Sequence, residues 1–384
     1  MEQLITVFAG ARDHYQFPVA LHERGRLECH VAEWYSPLDS PAVRFIVRRS
    51  PRLSRTLGKR YHPALPSSRV IVPAGGWLKG MARLLPLGKL RASPATVDAA
   101  LGGCAGKLAR ERHVGLLSTS YYAYYAFRAM GTASAHARLL YQIHPHPLTL
   151  RRIFNRELAT HPDSAASLLG EQEMAPSGSR RLEQLAMEPM MADRCIATSS
   201  FTKRSLVENG VAAAQVAVVP LGVDLERFQP GERDPGCDFR VLFVGSPTQR
   251  KGIKYLLEAW ERLALPRAEL IICGRGFADT PLLARHGGRF TQHTNVAPEG
   301  LVRLYQTADV FCLPSLAEGF GLVILEALAC GTPVVTTTST AGADIIPEGR
   351  AGFVIGPGDV EALMERLKWC HDERDGKLRA MRPA

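Results

Sequence analysis

The chain has 384 residues, 46% hydrophobic and 22% charged, which allows two domains of ordinary size and argues against a disordered or membrane-spanning protein. Its eight scattered cysteines form no metal-binding or disulfide pattern, and the first residues do not read as a signal peptide, so we expect buried thiols in a cytoplasmic protein. The net charge of +10 is uneven, because residues 1–225 carry 28 Lys and Arg against 17 Asp and Glu, whereas residues 226–384 carry 19 against 20.

Short β-branched and apolar runs in the first half of the chain predict β-strands. They are LITVFA (4–9), LECHVAEW (27–34), VGLLSTS (114–120), RLLYQI (138–143), RCIATS (194–199) and VAVVP (216–220). The segments between them have mostly helical patterns, such as residues 199–210, which begin with two serines suited to an N-cap and end at a glycine. This alternation predicts a parallel sheet with helices on both faces.

The second half repeats the alternation after a linker. Residues 221–239 contain two prolines, three glycines and many charges, which indicates a domain boundary, placed here between 222 and 223. The predicted strands beyond it are RVLFVG (240–245), AELIICG (268–274), DVFCLP (309–314) and PVVTTT (333–338), with helices over 251–263 and 298–308. The sequence therefore predicts an α/β protein of two facing Rossmann-like, doubly wound domains, 1–222 and 223–384, with a ligand cleft at the carboxyl ends of both sheets.

The stretch AEGFGLVILEALACGTPVV (317–335) contains two glutamates eight positions apart. Glu318 lies in a predicted loop, and Glu326 lies inside a helix that begins near Gly321. A helical span would separate the two by ~12 Å along the axis, whereas a glycosidase carboxyl pair needs about 5 Å for retention and under ~10 Å for inversion. The spacing suits instead the two ends of an extended ligand with a phosphate at the glycine-fronted helix terminus. Ordinary helix-surface charges are the alternative.

Two cations precede the predicted helix over 251–263. In FVGSPTQRKGIKYLLEAW (243–260), Arg250 and Lys251 follow a strand and a short loop. Positive charge at the carboxyl end of a strand is suited to stabilising a leaving diphosphate, although two solvated side chains are the alternative. The segment lacks the G-x-G-x-x-G pattern of a dinucleotide site, which argues against nicotinamide chemistry.

Several ordered blocks together resemble the family 4 retaining glycosyltransferases of the GT-B fold, also called glycosyl transferases group 1. They are V-F-C-L-P-S followed by E-G-F-G-L-x-x-L-E-A-x-A-C-G-x-P-V-V, then V-G…R-K-G…L-L-E-A-W, and V-V-P-L-G-V-D…R-F. The resemblance covers about residues 1–365. It implies retaining transfer of a hexosyl group from a nucleoside-diphosphate sugar without a metal or other cofactor, because protein cations and helix dipoles stabilise the leaving diphosphate.

The resemblance also implies roles for individual side chains. Glu318 would contact the hydroxyls of the donor sugar, and Glu326 the ribose of the nucleotide. Lys251, with Arg250 beside it, would stabilise the diphosphate. His144, the first histidine of LLYQIHPHP, would line the donor-sugar and acceptor site.

Four glycines and one aromatic residue complete the implied donor site. Gly319, Phe320 and Gly321 would present their backbone to the donor. Gly245 ends the first strand of the second domain, next to the diphosphate. Gly10, in FAGARDHYQ, would approach the diphosphate and the acceptor.

The sequence departs from the family pattern at two places. Ser246 stands where most relatives have an arginine, and Arg250 is the candidate substitute. The chain ends at KLRAMRPA, where relatives usually continue with a helix that crosses back onto the first domain, so we expect this helix to be missing. His146 is the less favoured of the two histidines, and a polar turn between prolines is the alternative explanation for both.

The basic first half indicates an anionic partner. Residues 40–97 contain twelve Lys and Arg and no acidic residue, and the amino domain of this fold binds the acceptor. We therefore expect an anionic or lipid-linked glycan acceptor and a peripheral contact of 40–97 with an anionic membrane at the inner face, with a solvated basic surface as the alternative. Nucleic acid is not expected, because the basic stretch is not interleaved with aromatic residues in a known module.

Other functions share the predicted fold. A non-catalytic subunit that binds a sugar nucleotide is consistent with Ser246 and the short carboxyl terminus. A sugar-nucleotide epimerase or a phosphorylase is a further alternative, although no lysine site for pyridoxal phosphate is evident.

Overall fold

The computed structural model of the chain describes residues 2–8, 15–41, 43, 45, 57–73, 94–131, 135–174, 179–232, 238–275 and 284–382. The strands of these residues form one sheet of seven and one of six. Gly10 and much of the basic stretch 40–97 lie outside the described residues, so the predictions made for them stay predictions.

The first sheet has the strand order β3-β2-β1-β4-β5-β6-β7. Its strands are β1 (Leu4–Val7), β2 (Leu27–Val31), β3 (Val70–Ile71), β4 (Gly115–Thr119), β5 (Arg138–Gln142), β6 (Arg194–Ala197) and β7 (Val216–Val218). The pairs β1–β2, β1–β4, β2–β3 and β4–β5 are parallel. Side chains of β1 are buried throughout, as expected for a strand covered on both faces.

The second sheet has the order β10-β9-β8-β11-β12-β13, and its five strand pairs are all parallel. Its strands are β8 (Phe239–Val244), β9 (Ala268–Cys273), β10 (Thr291–His293), β11 (Val310–Leu313), β12 (Val334–Thr337) and β13 (Gly352–Ile355). The chain adds strands outwards on one side of β8 and then returns to the other side, so β8 and β11 flank the point where the winding direction reverses. In such sheets ligands bind beyond the carboxyl ends of these two strands.

Helices cover these sheets. They are α1 (Gln16–Glu23), α2 (Pro94–Arg112), α3 (Ala123–Met130), α4 (Pro147–Thr160), α5 (Ala165–Leu168), α6 (Arg180–Met191), α7 (Ser200–Val207), α8 (Ile253–Leu263), α9 (Pro298–Thr307), α10 (Leu322–Ala329), α11 (Gly342–Ile345), α12 (Val360–Asp372) and α13 (Lys377–Ala380). In the described part of the chain, none of them has the length and apolar character needed to cross a membrane. α8 buries Ile253, Leu256, Leu257 and Trp260 in the core of the second sheet, at the spacing of one helix face.

Two compact units are evident from the contacts within the chain. The first comprises Met1–Gln142, Glu183–Ile196 and Ala214–Ala217, and the second comprises Ile143–Leu182, Ala197–Ala213 and Val218–Ala384. Residues 143–182 and 197–213 precede the predicted boundary at 222/223 and nevertheless group with the second unit. The boundary itself stays a prediction.

The predicted strands are present, each ending within three residues of its predicted limits. The cysteines that the structure describes are free thiols, as predicted, and all but Cys104 are buried. One prediction needs correction: residues 249–251 form a separate 3₁₀ turn, and the helix predicted from residue 251 begins at Ile253. The reason is Gly252, whose φ of +72° interrupts the helix.

Gly252 also permits a close approach between two loops. A Cβ atom at this position would lie 1.9 Å from the carbonyl oxygen of Pro314, which follows β11. Gly252→Ala is expected to lower the free energy of unfolding by about 2 kcal/mol or more, because left-handed strain and overlap with backbone act together. Gly103→Ala, inside α2 with no atom within 4 Å of the added Cβ, is the control. Urea unfolding of the two variants makes the comparison, and equal stability would refute the close approach.

Candidate active site

The loops after β8 and β11 carry the candidate residues, at the reversal point of the second sheet. The first loop runs from Gly245 to Gly252, and the second runs from Pro314 to Gly321. The backbone N–H of Leu316 donates to the carbonyl of Arg250 at 2.9 Å, which fastens one loop to the other. Residues about 68 positions apart in the sequence therefore meet here.

Three charged side chains form a compact cluster between the loops. Glu318 Oε1 lies 2.7 Å from Arg250 Nη1 and 3.1 Å from Lys251 Nζ. Arg250 also donates to the carbonyl of Ala317 at 3.2 Å and, through Nε, to Glu171 at 3.1 Å. The side chains of Glu318 and Lys251 are only 13% and 14% exposed, so these charges are shielded from solvent.

The cluster keeps its carboxylate ionised. Burial alone raises the pKa of Glu318, but the charges of Lys251 and Arg250 outweigh it and lower the pKa to about 2. Burial likewise disfavours the charged form of Arg250, while Glu318 and Glu171 raise its pKa. Together with Glu171, the second partner of Arg250, the cluster balances two cations with two carboxylates.

Gly319 is fixed on both sides by other parts of the second unit. A Cβ atom here would lie 1.8 Å from the carbonyl oxygen of Ile143, so only glycine fits. The carbonyl oxygen of Gly319 accepts hydrogen bonds from three hydroxyls, those of Thr198, Ser199 and Thr202, at 2.9, 2.6 and 3.1 Å. Ser199 Oγ also accepts from the N–H of Thr202 at 3.1 Å as the N-cap of α7, which confirms the predicted cap.

The orientation of Gly319 determines where the next amide points. In a planar trans peptide the N–H of Phe320 points away from the carbonyl of Gly319. Gly321 then adopts a φ of +87° and begins α10. Among the residues that the structure describes, none accepts a hydrogen bond from the N–H groups of Gly319, Phe320 or Gly321. The turn can therefore donate to an anion or a hydroxyl.

Glu326 is the fifth residue of α10, inside the helix as predicted. Its Oε2 accepts a hydrogen bond of 2.8 Å from the hydroxyl of Tyr305, a fully buried residue of α9. Burial raises the pKa of Glu326, and the Tyr305 hydrogen bond with the charges of Arg227 and Lys251 opposes that shift. Burial also raises the pKa of Tyr305 well above its usual value, so its hydroxyl keeps the proton that it donates.

The two histidines after β5 have different surroundings. His144 is half-buried beside Gly319, and its charge contributes to the low pKa of Glu318. His146 is 1% exposed and caps α4, because its Nδ1 accepts from the N–H of Leu148 at 3.3 Å. His144 therefore lies with the candidate site, whereas His146 has a structural task.

Gly245 leaves room for the lysine of the cluster. A Cβ atom at this position would lie 3.1 Å from Lys251 Nζ, so the lysine side chain lies across the end of β8. Ser246, where the family usually has an arginine, is exposed. The structure thus brings together nine of the ten candidate residues of the sequence in one unit, and Gly10 lies outside the described residues.

Sequence reasoning missed the residues that support the cluster. Glu171 contacts Arg250, and Tyr305 contacts Glu326. Three hydroxyls hold the carbonyl of Gly319. A signal existed for the hydroxyls, since the predicted N-cap serine marked the start of α7. No local pattern marks Glu171, because its partner is 79 positions away.

Two family models match the chain. Residues 238–373 match the one described as Glycosyl transferases group 1, and residues 105–227 match the one described as Glycosyltransferase Family 4. MMP alpha-(1->4)-mannosyltransferase of Mycolicibacterium hassiacum is 36% identical over 166 residues, which are 41% of this chain and 40% of that protein. O-antigen chain mannosyltransferase B of Escherichia coli is 31% identical over 231 residues, 58% of this chain and 56% of that protein.

The similarity to a solved structure extends over nearly the whole chain. Sucrose-phosphate synthase of Thermosynechococcus elongatus superposes with a TM-score of 0.69 at 18% identity, covering 99% of this chain and 92% of that one. This confirms the predicted α/β fold with two parallel sheets. The chain spans only about half the length of the curated relatives that it matches. In eight of them the aligned regions cover 39 to 65% of the relative's length.

Proposed function

The chain belongs to the group 1, family 4 glycosyl transferases, and from this premise we propose that it transfers a hexosyl group from a nucleoside-diphosphate sugar to an acceptor hydroxyl with retention of configuration. The observation that supports this most is the cluster of Arg250, Lys251 and Glu318 beside the backbone N–H groups of residues 319–321, at the reversal point of the second sheet. Cations and amide donors suit the diphosphate, and carboxylates suit sugar hydroxyls.

Each side chain has a part in the proposal. Lys251 and Arg250 bind the diphosphate, Glu318 and the amides of 319–321 bind the sugar, and Glu326 accepts from the ribose. His144, half-buried beside Gly319, lines the sugar site. When the diphosphate binds Lys251 and Arg250, Glu318 loses its ion pairs with them and accepts hydrogen bonds from sugar hydroxyls instead.

The chemical step follows from this placement. The bond from the anomeric carbon to the diphosphate oxygen breaks, and a bond from the same carbon to the acceptor oxygen forms on the same face. The acceptor proton passes to the departing phosphate oxygen. Lys251 and Arg250 stabilise the charge that develops on the leaving group, so we propose that no divalent metal and no other cofactor takes part.

An anionic or lipid-linked glycan is the proposed acceptor. The support is the excess of 28 Lys and Arg over 17 Asp and Glu in residues 1–225, concentrated in 40–97. Positive charge attracts anionic acceptors and anionic membrane surfaces. We accordingly propose a cytoplasmic protein that contacts the inner membrane face through this stretch, and no nucleic-acid partner.

A nucleotide panel tests the donor site. UDP, GDP, ADP and TDP, each with its sugars, are added to the protein and its melting temperature is measured. A hundredfold excess over Kd stabilises by about 2.7 kcal/mol, so the matching nucleotide should raise the melting temperature by about 5 °C or more. Addition of EDTA should change neither this shift in melting temperature nor the rate of sugar transfer by more than twofold.

The outcomes separate the alternatives. A nucleotide that stabilises the protein without hydrolysis or transfer of its sugar would favour the non-catalytic subunit. If none of the four nucleotides changes the melting temperature, the proposed donor site is wrong.

A further inference from the structure

Helix α4 carries an acidic residue on its apolar face. Leu150, Phe154 and Glu157 follow one another at spacings of four and three, so they share one side of the helix, and all three are buried. Glu157 is only 5% exposed. A carboxylate in such a place needs hydrogen-bond donors, because losing water is costly.

Three side chains face this carboxylate. Gln249 Nε2 donates to Glu157 Oε1 at 2.6 Å, and the hydroxyl of Tyr255 donates to Oε2 at 2.6 Å. His161 Nδ1 lies 3.2 Å from Oε1. Burial first, and then the hydrogen bond and charge of Glu157, raise the pKa of Tyr255, so that its hydroxyl stays protonated as a donor.

Gln249 is held at three atoms and is fully buried. Besides the bond to Glu157, its backbone N–H donates to Ser167 Oγ at 3.1 Å, and its Oε1 accepts from the N–H of Lys254 at 3.1 Å. Gln249 begins the 3₁₀ turn that also contains the two cations of the candidate site. Fixing Gln249 therefore fixes the start of the turn that directs both cations towards Glu318.

We propose that Glu157 is a positioning residue of the donor site, which holds Gln249 so that Arg250 and Lys251 face the diphosphate. The proposal rests on the proposed function for the identity of that ligand. Glu157 touches neither cation, so it acts through the geometry of the turn.

Charge and geometry predict opposite effects. Removing a carboxylate near an anion site should by itself strengthen anion binding, because a repulsive charge is lost. Removing the acceptor of Gln249 should weaken it, because the turn loses a buried hydrogen bond. Glu157→Met and Glu157→Gln both remove the charge, but only the glutamine retains an oxygen that can accept from Gln249. In Glu157→Gln the new amide NH₂ group donates to the Tyr255 hydroxyl, which rotates to accept.

The first measurement is hydrogen exchange of the turn, which needs no ligand. The N–H of Lys251 donates to Thr248 O at 3.0 Å, and the N–H of Gly252 donates to Gln249 O at 2.8 Å. Both amides should exchange at least about tenfold faster in Glu157→Met, and less so in Glu157→Gln. His161→Ala, which removes another contact of Glu157 but leaves the Gln249 bond, controls for a merely structural role and should leave both amides unchanged.

The second measurement is the affinity for inorganic pyrophosphate, the part common to every nucleoside diphosphate. Titration calorimetry should give a Kd three- to tenfold higher for Glu157→Met than for Glu157→Gln and His161→Ala. With the matching donor, KM should rise in the same order with a smaller change in kcat. Equal exchange and equal Kd in the methionine and glutamine variants would overturn the proposal.

The two arms separate this inference from the proposed function. If the unmodified chain binds neither pyrophosphate nor nucleotides, the proposed function fails, and the exchange rates alone decide whether Glu157 holds the turn. If pyrophosphate binds tightly and equally to all variants, the donor site stands and the positioning role is refuted.

Discussion

Replacing Lys251 by alanine is expected to lower kcat/KM for the donor by a factor of about 10²–10³, the cost of removing one group that stabilises developing charge. Lys251 Nζ lies 3.1 Å from Glu318, and Gly245 leaves room for it across the end of β8. In the proposed mechanism it neutralises the leaving diphosphate. The measurement is donor turnover with the nucleotide sugar that the panel identifies.

The control is Lys377→Ala, on an exposed residue of α13. It removes the same charge from the chain away from the cluster, so turnover should stay within twofold. Far-UV circular dichroism of both variants establishes that they fold. Turnover of Lys251→Ala within threefold of the unmodified protein would remove the lysine from the mechanism.

The elements that sequence reasoning found are those with a strong local signal. β8 and β11 are continuous apolar runs, because parallel strands buried on both faces need no polar side. β3, β10 and β13 were missed for the opposite reason. β3 has two residues and β10 is the polar TQH, so neither shows an apolar pattern typical of a strand. The apolar run of β13, GFVI, has only four residues and directly follows a turn.

The candidate site could be predicted where residues follow one another in the chain, and not where distant segments meet. Arg250, Lys251 and Glu318 were found from their places after two strands. The contacts of Gln249 with Glu157 span 92 positions, which no local pattern encodes. A partial signal was present nevertheless, since Glu157 interrupts the apolar face that Leu150 and Phe154 define.

Glu318→Gln is expected to lower the free energy of unfolding by about 3 kcal/mol at neutral pH, and the loss should disappear in acid. The folded pKa of about 2 lies below the ordinary value of 4.5, so the folded state favours the ionised carboxylate. Its stabilisation is therefore complete above about pH 4.5 and is lost as the pH falls towards 2. Urea unfolding of both proteins between pH 3 and 7 measures the difference, which should shrink steadily below pH 4.5.

Asp372→Asn is the matched control for this titration. The pKa of Asp372 is also lowered, by hydrogen bonds from Lys368 and His371, but its side chain is 50% exposed to solvent. Screening makes such a pair contribute little, so this variant should track the unmodified protein at every pH. A Glu318→Gln deficit that stays constant from pH 7 to pH 3 would mean that packing, and not the charges of Lys251 and Arg250, accounts for the loss. The same low pKa keeps Glu318 ionised throughout pH 5 to 9, so any change of transfer rate in that range must come from another group.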